Sequence, residues 1–420
     1  MPTISADNTY YVDLGPDSDF GVGSFVSVFP EDCEFDGMIR GVGNISFQLS
    51  YTATDQDGNL SVPSKDFIGP YRSYWRLRYG DVAIMAGVIT KTNTKLGTDF
   101  MSIFGKTWEH FFEKWEYPFD PRTAERVSGD PTTAPIYDYV FPDSFQDDEL
   151  VASGNATPQG LVYQAHNRDI IRILDDVLIM VMGRPNRLII DLSGIFDVDS
   201  GIKTNFTLTL GDTSKMDSFV GGLAETGDGF DWWISHDKKF KWGSPYRFGN
   251  PSVPFIFYTF TLDDADSGFL TDLEFTNNGP IATHVLGTGA GLASQTTLGR
   301  AYGYNPGQVQ FTRLDESFDF GDVRNGSQLS KKAQKQLALS LNPVHEIPIS
   351  LDPAFHSTYW ADFRTGRAIY ITADMGYHLI DSAQQLVSFQ GKLDNNGNAA
   401  VDWALQQIYD TSSNVGTAEG

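Results

Sequence analysis

Between residues 45 and 105 short segments of the sequence switch between apolar and polar from one residue to the next. In ISFQLSY (45–51) Ile45, Phe47 and Leu49 share one face, and in YWRLRYG (74–80) Trp75 and Leu77 oppose Arg76 and Arg78. VAIMAGVIT (82–90) and TDFMSIFG (98–105) follow, with polar turns between them. Side chains alternate faces along a strand, so a period of two predicts half-buried strands. Several short strands at this spacing predict a barrel or sandwich. A helix closes the run: Thr107 is placed to cap it, and Trp108, Phe111, Phe112 and Trp115 recur at i, i+3, i+4 and i+7. Tyr117-Pro118 stops it.

The rest of the chain changes character twice. Residues 122–160, with SGDPTTAP and FPDSFQDDE, read as a long loop or insertion. A mixed region follows at 161–280. It holds a helix at 167–182, with Ile170, Ile173, Leu174, Val177, Leu178 and Val181 on its inner side. It also holds a strand at 204–211 and a helix at 213–227 with Met216, Phe219, Val220 and Leu223 aligned. Next comes GDGFDWWISHDKKFKW (227–242), two short strands joined by a polar turn at Asp237-Lys238-Lys239. Phe230, Trp232, Ile234 and His236 share one face, and Asp231, Trp233, Ser235 and Asp237 the other. Burying one Trp contributes about 4–6 kcal/mol at most, so the Phe230/Trp232/Ile234 face is expected in the core. Trp233 stands among polar neighbours, and its role is open.

From 255 strand patterns return, at 255–262, 270–276, 281–287, 347–351, 367–373, 385–393 and 399–408. One helix interrupts them at 328–341, with Leu329, Ala333, Leu337 and Leu341 spaced by four. LDNNGNAAV signals a hairpin turn between the last two strands. The fold class is α+β and rich in β-structure.

Several function classes drop out. A chain of 420 residues exceeds one compact core and suggests two to four domains. With 54 acidic against 30 basic residues and a formal charge of −24, a nucleic-acid grip has no counterpart for phosphate. Cys33 is the single cysteine, which excludes an internal disulfide framework. The start, MPTISADNTYY, has no signal-peptide pattern, and the longest apolar run, Val177–Met182, is too short to span a membrane. Folding in a reducing cytosol is the simplest expectation. GTGAGL (287–292) lacks the sixth-place glycine of a dinucleotide loop, since Leu292 stands there. Counted from Asp55, Asp197 and Asp394, the sixth place holds Leu60, Ile202 and Ala399 instead of the EF-hand glycine, and the acid-rich turns at 55–59, 197–201, 262–268 and 393–398 read as plain turns, with an adventitious Ca²⁺ left open. The seven histidines are scattered, and neither His-Glu-x-x-His nor Gly-x-Ser-x-Gly occurs. DFG at 19–21 and 319–321 lacks its kinase context. No catalytic, cofactor or metal residue is predicted. The enzyme alternative is a carbohydrate-binding or glycoside-hydrolysing protein using Asp228, Asp231 and Trp233, since glycosidases pair two carboxylates.

The order of these pieces resembles the tail hub proteins of tailed bacteriophages, also called baseplate hub or minor tail proteins, especially those with long non-contractile tails. Residues 74–119 are similar to the family's strands, with one ending near Gly87, followed by Gly-[Lys/Arg]-[Asp/Thr/Ser]-Trp, here Gly105, Lys106, Thr107 and Trp108. Gly229 and Trp232 fall on the family's helix, Gly-x-x-Trp and hairpin, with Asp237-Lys238 where an Asp-Gly turn is usual. NNGPIATHVLGTGAGLAS (277–294) and the closing helix, Gly366-Arg367 strand start and hairpin complete the match over about 40–410. The resemblance implies two β-barrel domains, 1–121 and 281–420, flanking a mixed α/β domain at 161–280, with 122–160 inserted. It implies a homotrimer at the virion tail tip, made in the bacterial host cytoplasm. There it would contact distal tail, tape-measure and other minor tail or receptor-binding proteins, and open the channel for genome ejection. It implies no enzyme activity, no cofactor, no metal, no sequence-specific nucleic acid and no membrane span. Within it, Trp233 is the residue expected to meet another subunit or domain, where exposed aromatics are used.

Overall fold

A computed structural model of the protein describes residues 9–21, 25–50, 68–95, 97–117, 162–182, 188–193, 200–209, 214–224, 230–243, 256–261, 270–274, 282–289, 298–302, 314–319, 326–341, 346–351, 360, 365–366, 368–374, 379–393 and 399–407. The 122–160 insertion, the 55–59 and 262–268 turns and the turn of the closing hairpin lie outside the described residues. The chain forms two compact units: Met1–Pro254 with Ser350–Arg367 and Leu386–Trp403, and Phe255–Ile349 with Ala368–Gln385 and Ala404–Gly420.

The first unit opens with strands β1 (Tyr10–Gly15), β2 (Val26–Val28), β3 (Glu31–Met38), β4 (Asn44–Ser50), β5 (Tyr74–Tyr79), β6 (Val82–Thr94) and β7 (Phe100–Thr107). They pair in the order β3-β4-β7-β6-β5-β1-β2, antiparallel throughout. The result is a β-rich, curled half-barrel. The alternation read from the sequence holds: Trp75, Leu77 and Tyr79 of β5 are buried, while Tyr74, Arg76 and Arg78 lie between. The same is true of Ile45, Phe47 and Leu49 on β4.

Strand β1 places a charge where a core residue is expected, whereas β3 alternates with Cys33 and Phe35 buried. On β1, Asp13 is fully buried between Val12 and Leu14. It lies opposite Arg76 in the β1–β5 register. Its Oδ2 accepts from Arg76 Nε at 2.9 Å and Arg78 Nε at 2.7 Å. Its Oδ1 accepts from Arg78 Nη2 at 3.0 Å and Ser27 Oγ at 2.6 Å. Burial alone would raise the Asp13 carboxyl. The bonds from Arg78, Ser27 and Arg76 outweigh that and hold it below the ordinary carboxylate range. Arg76 also lies over the ring of Phe20 at 4.7 Å, and Arg78 over Tyr11 at 5.5 Å.

The chain continues with α1 (His110–Lys114), β8 (Glu116–Tyr117), β9 (Val162–Asp169) and α2 (Ile170–Met182). Then come β10 (Lys203–Thr209), β11 (Ser214–Lys215), α3 (Met216–Ala224), β12 (Asp231–Ile234) and β13 (Phe240–Gly243). Thr107 does not cap α1. It ends β7, the N-cap position is Glu109, and no side chain caps that turn. The Thr107 hydroxyl instead accepts from Gly43 N at 2.9 Å, because the sheet pairing claims it first. The apolar stripe survives: Trp108, Phe112 and Trp115 are buried and join α2, α3 and the β12–β13 hairpin in one core. Residues 167–169, read as the start of the long helix, belong to β9. Asp169 accepts from Ile171 N at 3.0 Å, and from Ser200 Oγ and Gly201 N, both at 2.9 Å. That pins the end of the acid-rich 197–201 segment to the helix start. Ile170, Ile173, Leu174, Val177, Leu178 and Val181 are buried as spaced, and so are Met216, Phe219, Val220 and Leu223 of α3.

The second unit holds β14 (Ile256–Thr261), β15 (Leu270–Leu273), β16 (His284–Thr288), β17 (Leu298–Tyr302), β18 (Asp315–Asp319) and α4 (Gly326–Leu341). The later strands are β19 (Glu346–Leu351), β20 (Ala368–Asp374), β21 (Leu379–Leu393) and β22 (Ala399–Gln407), with residues 350–351 of β19 and 399–403 of β22 belonging to the first unit. Two pairings in this unit are parallel, β14 with β20 and β16 with β18. Parallel neighbours need crossover connections, so this unit is not a simple meander. Helix α4 buries Leu329, Ala333 and Leu337, spaced by four, and Ala333 and Leu337 cluster with Ala282 and Val285. Residues 386–393 of β21 belong to the first unit and pair with β3. In that register Phe389 faces Gly37 and Gly391 faces Phe35. A Cβ on Gly391 would lie 2.2 Å from the Phe35 ring, and one on Gly37 2.5 Å from the Phe389 ring. Each ring fills the space its opposite glycine leaves, which locks the register.

Asp13→Ala is expected to destabilise the protein by about 3–5 kcal/mol, since it leaves two arginines facing an empty site. Because the Asp13 carboxyl is held low, its contribution is present at neutral pH and fades only as pH falls through that depressed value. Urea unfolding of wild type and variant at neutral pH measures the difference. A loss under about 1 kcal/mol, the range of an exposed pair, would show that this clamp is not a buried one.

Candidate functional site

The residues that carry the family-like motif, Gly105 to Trp108, form a junction between the sheet and the β12–β13 hairpin. Gly105 sits over the indole of the fully buried Trp75, whose Nε1 donates to Val88 O at 3.1 Å. A Cβ at position 105 would lie 2.2 Å from that nitrogen. Only glycine fits there. Lys106 pairs with Glu113 at 3.3 Å, and Thr107 N donates to Gly43 O at 3.0 Å. Trp108, wholly buried, donates from Nε1 to His236 O at 3.2 Å. Glu109 accepts from Ile234 N at 2.6 Å through Oε1. Two consecutive side chains thus hold both ends of the 234–236 turn entry. Arg40 adds a third tie: its N donates to Trp232 O at 2.9 Å, and its guanidinium pairs with Asp231.

The hairpin itself follows its alternation. Asp231 to Ile234 pair with Gly243 to Phe240. Phe230, Trp232, Ile234 and Phe240 are buried. Trp232 stacks on Phe240 with centroids 5.9 Å apart, and Phe112 meets Trp232 at 5.4 Å. Lys238 lies in the hairpin turn, and its φ is +61°, a conformation unfavourable for a side-chain-bearing residue. The strain is offset by what the Lys238 ammonium reaches, Ser18 Oγ at 2.9 Å and the Asp19 carboxylate.

Trp233 points away from this core and is half-buried, opposite Lys241. It lines a cavity of about 150 Å³ whose other walls include Met38, Met85, Glu109, Trp360 and Phe389. Trp360 comes from far along the chain and is fixed by its Nε1 bond to Tyr10 OH at 2.8 Å. Glu109 is 4% exposed. Burial pushes its carboxyl up to about 7, against the lowering effect of Thr107 and of backbone N–H groups. Its Oε2 is buried with no hydrogen-bond partner among the described residues. Nothing in the sequence marked Glu109. The only local signal is that an acid follows directly on Gly-Lys-Thr-Trp, and its backbone partner Ile234 lies 125 residues away.

Of the carbohydrate trio, Asp231 and Trp233 are among the described residues. Asp231 is 3% exposed and committed to Arg40, and Asp228 lies outside the described residues. Asp237 is held at about 2 despite burial, by Lys239 and Ser235. His110 is buried and bonded to Tyr71 OH at 3.0 Å and Glu113 at 2.6 Å. Among the described residues no group of three or more His, Cys, Asp or Glu is placed to hold a metal, and no helix is long and apolar enough to cross a membrane.

No protein-family model matches the chain, and no curated protein does. Solved structures do. The tail protein of Neisseria meningitidis MC58 aligns over 95% of this chain and 97% of its own, with TM-score 0.55 and 12% identity. The 43 kDa tail protein of prophage MuSo2 from Shewanella oneidensis aligns over 94% and 98%, with TM-score 0.56 and 10% identity. Prophage tail protein gp18 of Listeria monocytogenes EGD-e aligns over 96% and 95%, with TM-score 0.50 and 10% identity. The chain therefore has the fold of phage tail proteins, and has it nearly end to end.

Two outcomes follow from this junction. Gly105→Ala is expected to cost about 1–3 kcal/mol or more in thermal or urea unfolding, because the new methyl group meets a packed indole. A variant as stable as wild type would mean that Trp75 moves aside without penalty. For Glu109 the folded-state value lies above the ordinary 4.5, so wild-type stability is full below about pH 4.5 and declines until about pH 7. Glu109→Gln keeps an acceptor for Ile234 N and removes the charge. It should match wild type at pH 4 and exceed it at pH 8 by up to about 3 kcal/mol. Parallel pH profiles for the two proteins would refute the buried-carboxyl assignment.

Proposed function

We propose that this protein is a structural tail-tip hub of a bacteriophage-type tail. In this reading three chains form a collar between the tail tube or distal tail ring and the tip. The collar closes the channel and opens it for genome ejection. The observation that carries the proposal is the near end-to-end correspondence with tail proteins from Neisseria meningitidis and Shewanella oneidensis, in which little of either chain is left over. A second β-barrel, besides the curled sheet of the first unit, belongs to this reading, as do the domain limits 1–121, 161–280 and 281–420. So do the homotrimer and contacts with distal tail, tape-measure and other minor tail proteins.

Two further observations favour it. The motif residues 105–108 act in packing and tethering rather than in chemistry, which suits a protein that works by shape. The acidic excess suits a DNA conduit, since a negative lumen repels phosphate and does not trap a genome. Trp233 is assigned to a contact with a neighbouring subunit or tail protein, as a half-buried aromatic beside a cavity.

Light-scattering mass of the purified protein tests the assembly. A threefold mass is expected, and Trp233→Ala should shift it towards monomer by weakening association about tenfold or more. A monomer at every concentration, or a Trp233→Ala variant that assembles normally but has lost a polysaccharide affinity of the wild type, would overturn the hub reading.

A further inference from the structure

The Trp233 cavity contains something an apolar anchor site does not need, a buried carboxylate. Glu109 lines it, and one carboxyl oxygen is already used by Ile234 N. The other, Oε2, is buried without a hydrogen-bond partner among the described residues. Leaving such an oxygen unmatched in a protein interior costs about 1–3 kcal/mol, and more when it is charged. No cation is among the groups that act on this carboxyl, although Lys241 and His236 also line the cavity. The walls around it are aromatic and thioether: Trp233, Trp360, Phe389, Met38 and Met85. The volume, about 150 Å³, is that of a cavity able to take up a benzene-sized group.

We propose that this cavity is a socket for one arginine side chain carried by a partner protein, its stem against the aromatic and methionine walls and its guanidinium on Glu109 Oε2. A guanidinium is planar and weakly hydrated, and it stacks on indole faces, so it loses less than an ammonium on entering such walls. A charge-assisted bond to a buried carboxylate is also among the stronger hydrogen bonds. Burial holds the Glu109 carboxyl at about 7 in the empty socket, so a bound cation would bring it back towards ordinary acidity. The excess of 54 acidic over 30 basic residues favours a basic partner surface in the same sense. Since Oε2 is sealed, entry requires a lining side chain to swing aside. Met38, unbranched and 40% exposed, is suited to that movement.

This inference shares the Trp233 cavity with the hub reading but does not depend on a trimer. n-Butylguanidinium is the probe, titrated calorimetrically into the full-length protein at pH 8, with neutral N-butylurea of the same shape beside it. Saturable binding of the cation is expected, with N-butylurea weaker by about tenfold or more, the equivalent of one charge-assisted bond. Glu109→Gln should lose a similar factor. Met38→Trp, which fills the cavity and keeps the carboxylate, should lose binding as well. If Glu109→Gln fails to fold, the urea comparison and Met38→Trp decide. Absence of saturable binding by wild type, equal affinity for the urea, or unchanged binding by either folded variant overturns the socket. Light-scattering mass is unaffected by these outcomes, so the socket and the threefold collar stand or fall separately.

Discussion

The first unit depends on a single strand end. At Gly105 to Glu109 the last β-strand of the curled sheet passes directly into the helix that supports the hairpin, and every residue of that stretch makes a bond in a different direction. Gly105 leaves room for Trp75, Thr107 bonds the 43 turn, and Trp108 and Glu109 hold His236 O and Ile234 N. Since Trp108 is buried and its indole N–H is paired, the hairpin cannot move relative to the sheet without stranding a donor in the core. The Trp233 cavity exists because that junction holds the hairpin close to the sheet without filling the gap.

Two buried acids show how surroundings decide what a carboxylate does. Asp13 has two guanidinium groups and a hydroxyl around it and is stabilised as an anion. Glu109 has backbone N–H and a threonine, with no cation, and burial dominates. The first behaves as a fixed structural cross-link between strands. The second serves the fold through Oε1, which holds Ile234 N, and keeps unused hydrogen-bonding capacity on Oε2 at the edge of a cavity.

Much of the architecture was legible because the period of apolar residues is local. The alternation at 74–79, the every-fourth spacing of Leu329, Ala333 and Leu337, and the apolar face of Phe230, Trp232 and Ile234 each appear in the structure as read. The misses share one cause. Asp13 broke the strand pattern of 10–15, and its partners are sixty residues away. Thr107 looked like a helix cap and was claimed by Gly43 instead. Asp169 looked helical, yet it closes a strand and binds the 200–201 segment. In the candidate site Trp233 was singled out from its polar neighbours, whereas Glu109 gave no sign, because burial is a property of the whole assembly of segments.

By itself the sequence determined the kinds of element, which face of each is apolar, the acidic balance, and the absence of recognisable catalytic spacing. Those depend on residues a few positions apart. Only the tertiary structure decided that residues 386–393 return to pair with the strand at 31–38, with Phe35 over Gly391 and Phe389 over Gly37. It alone placed Trp360, Phe389, Trp233 and Glu109 around one cavity. The reason is physical: desolvation and ring packing act through space, and no window along the chain contains the groups that meet there.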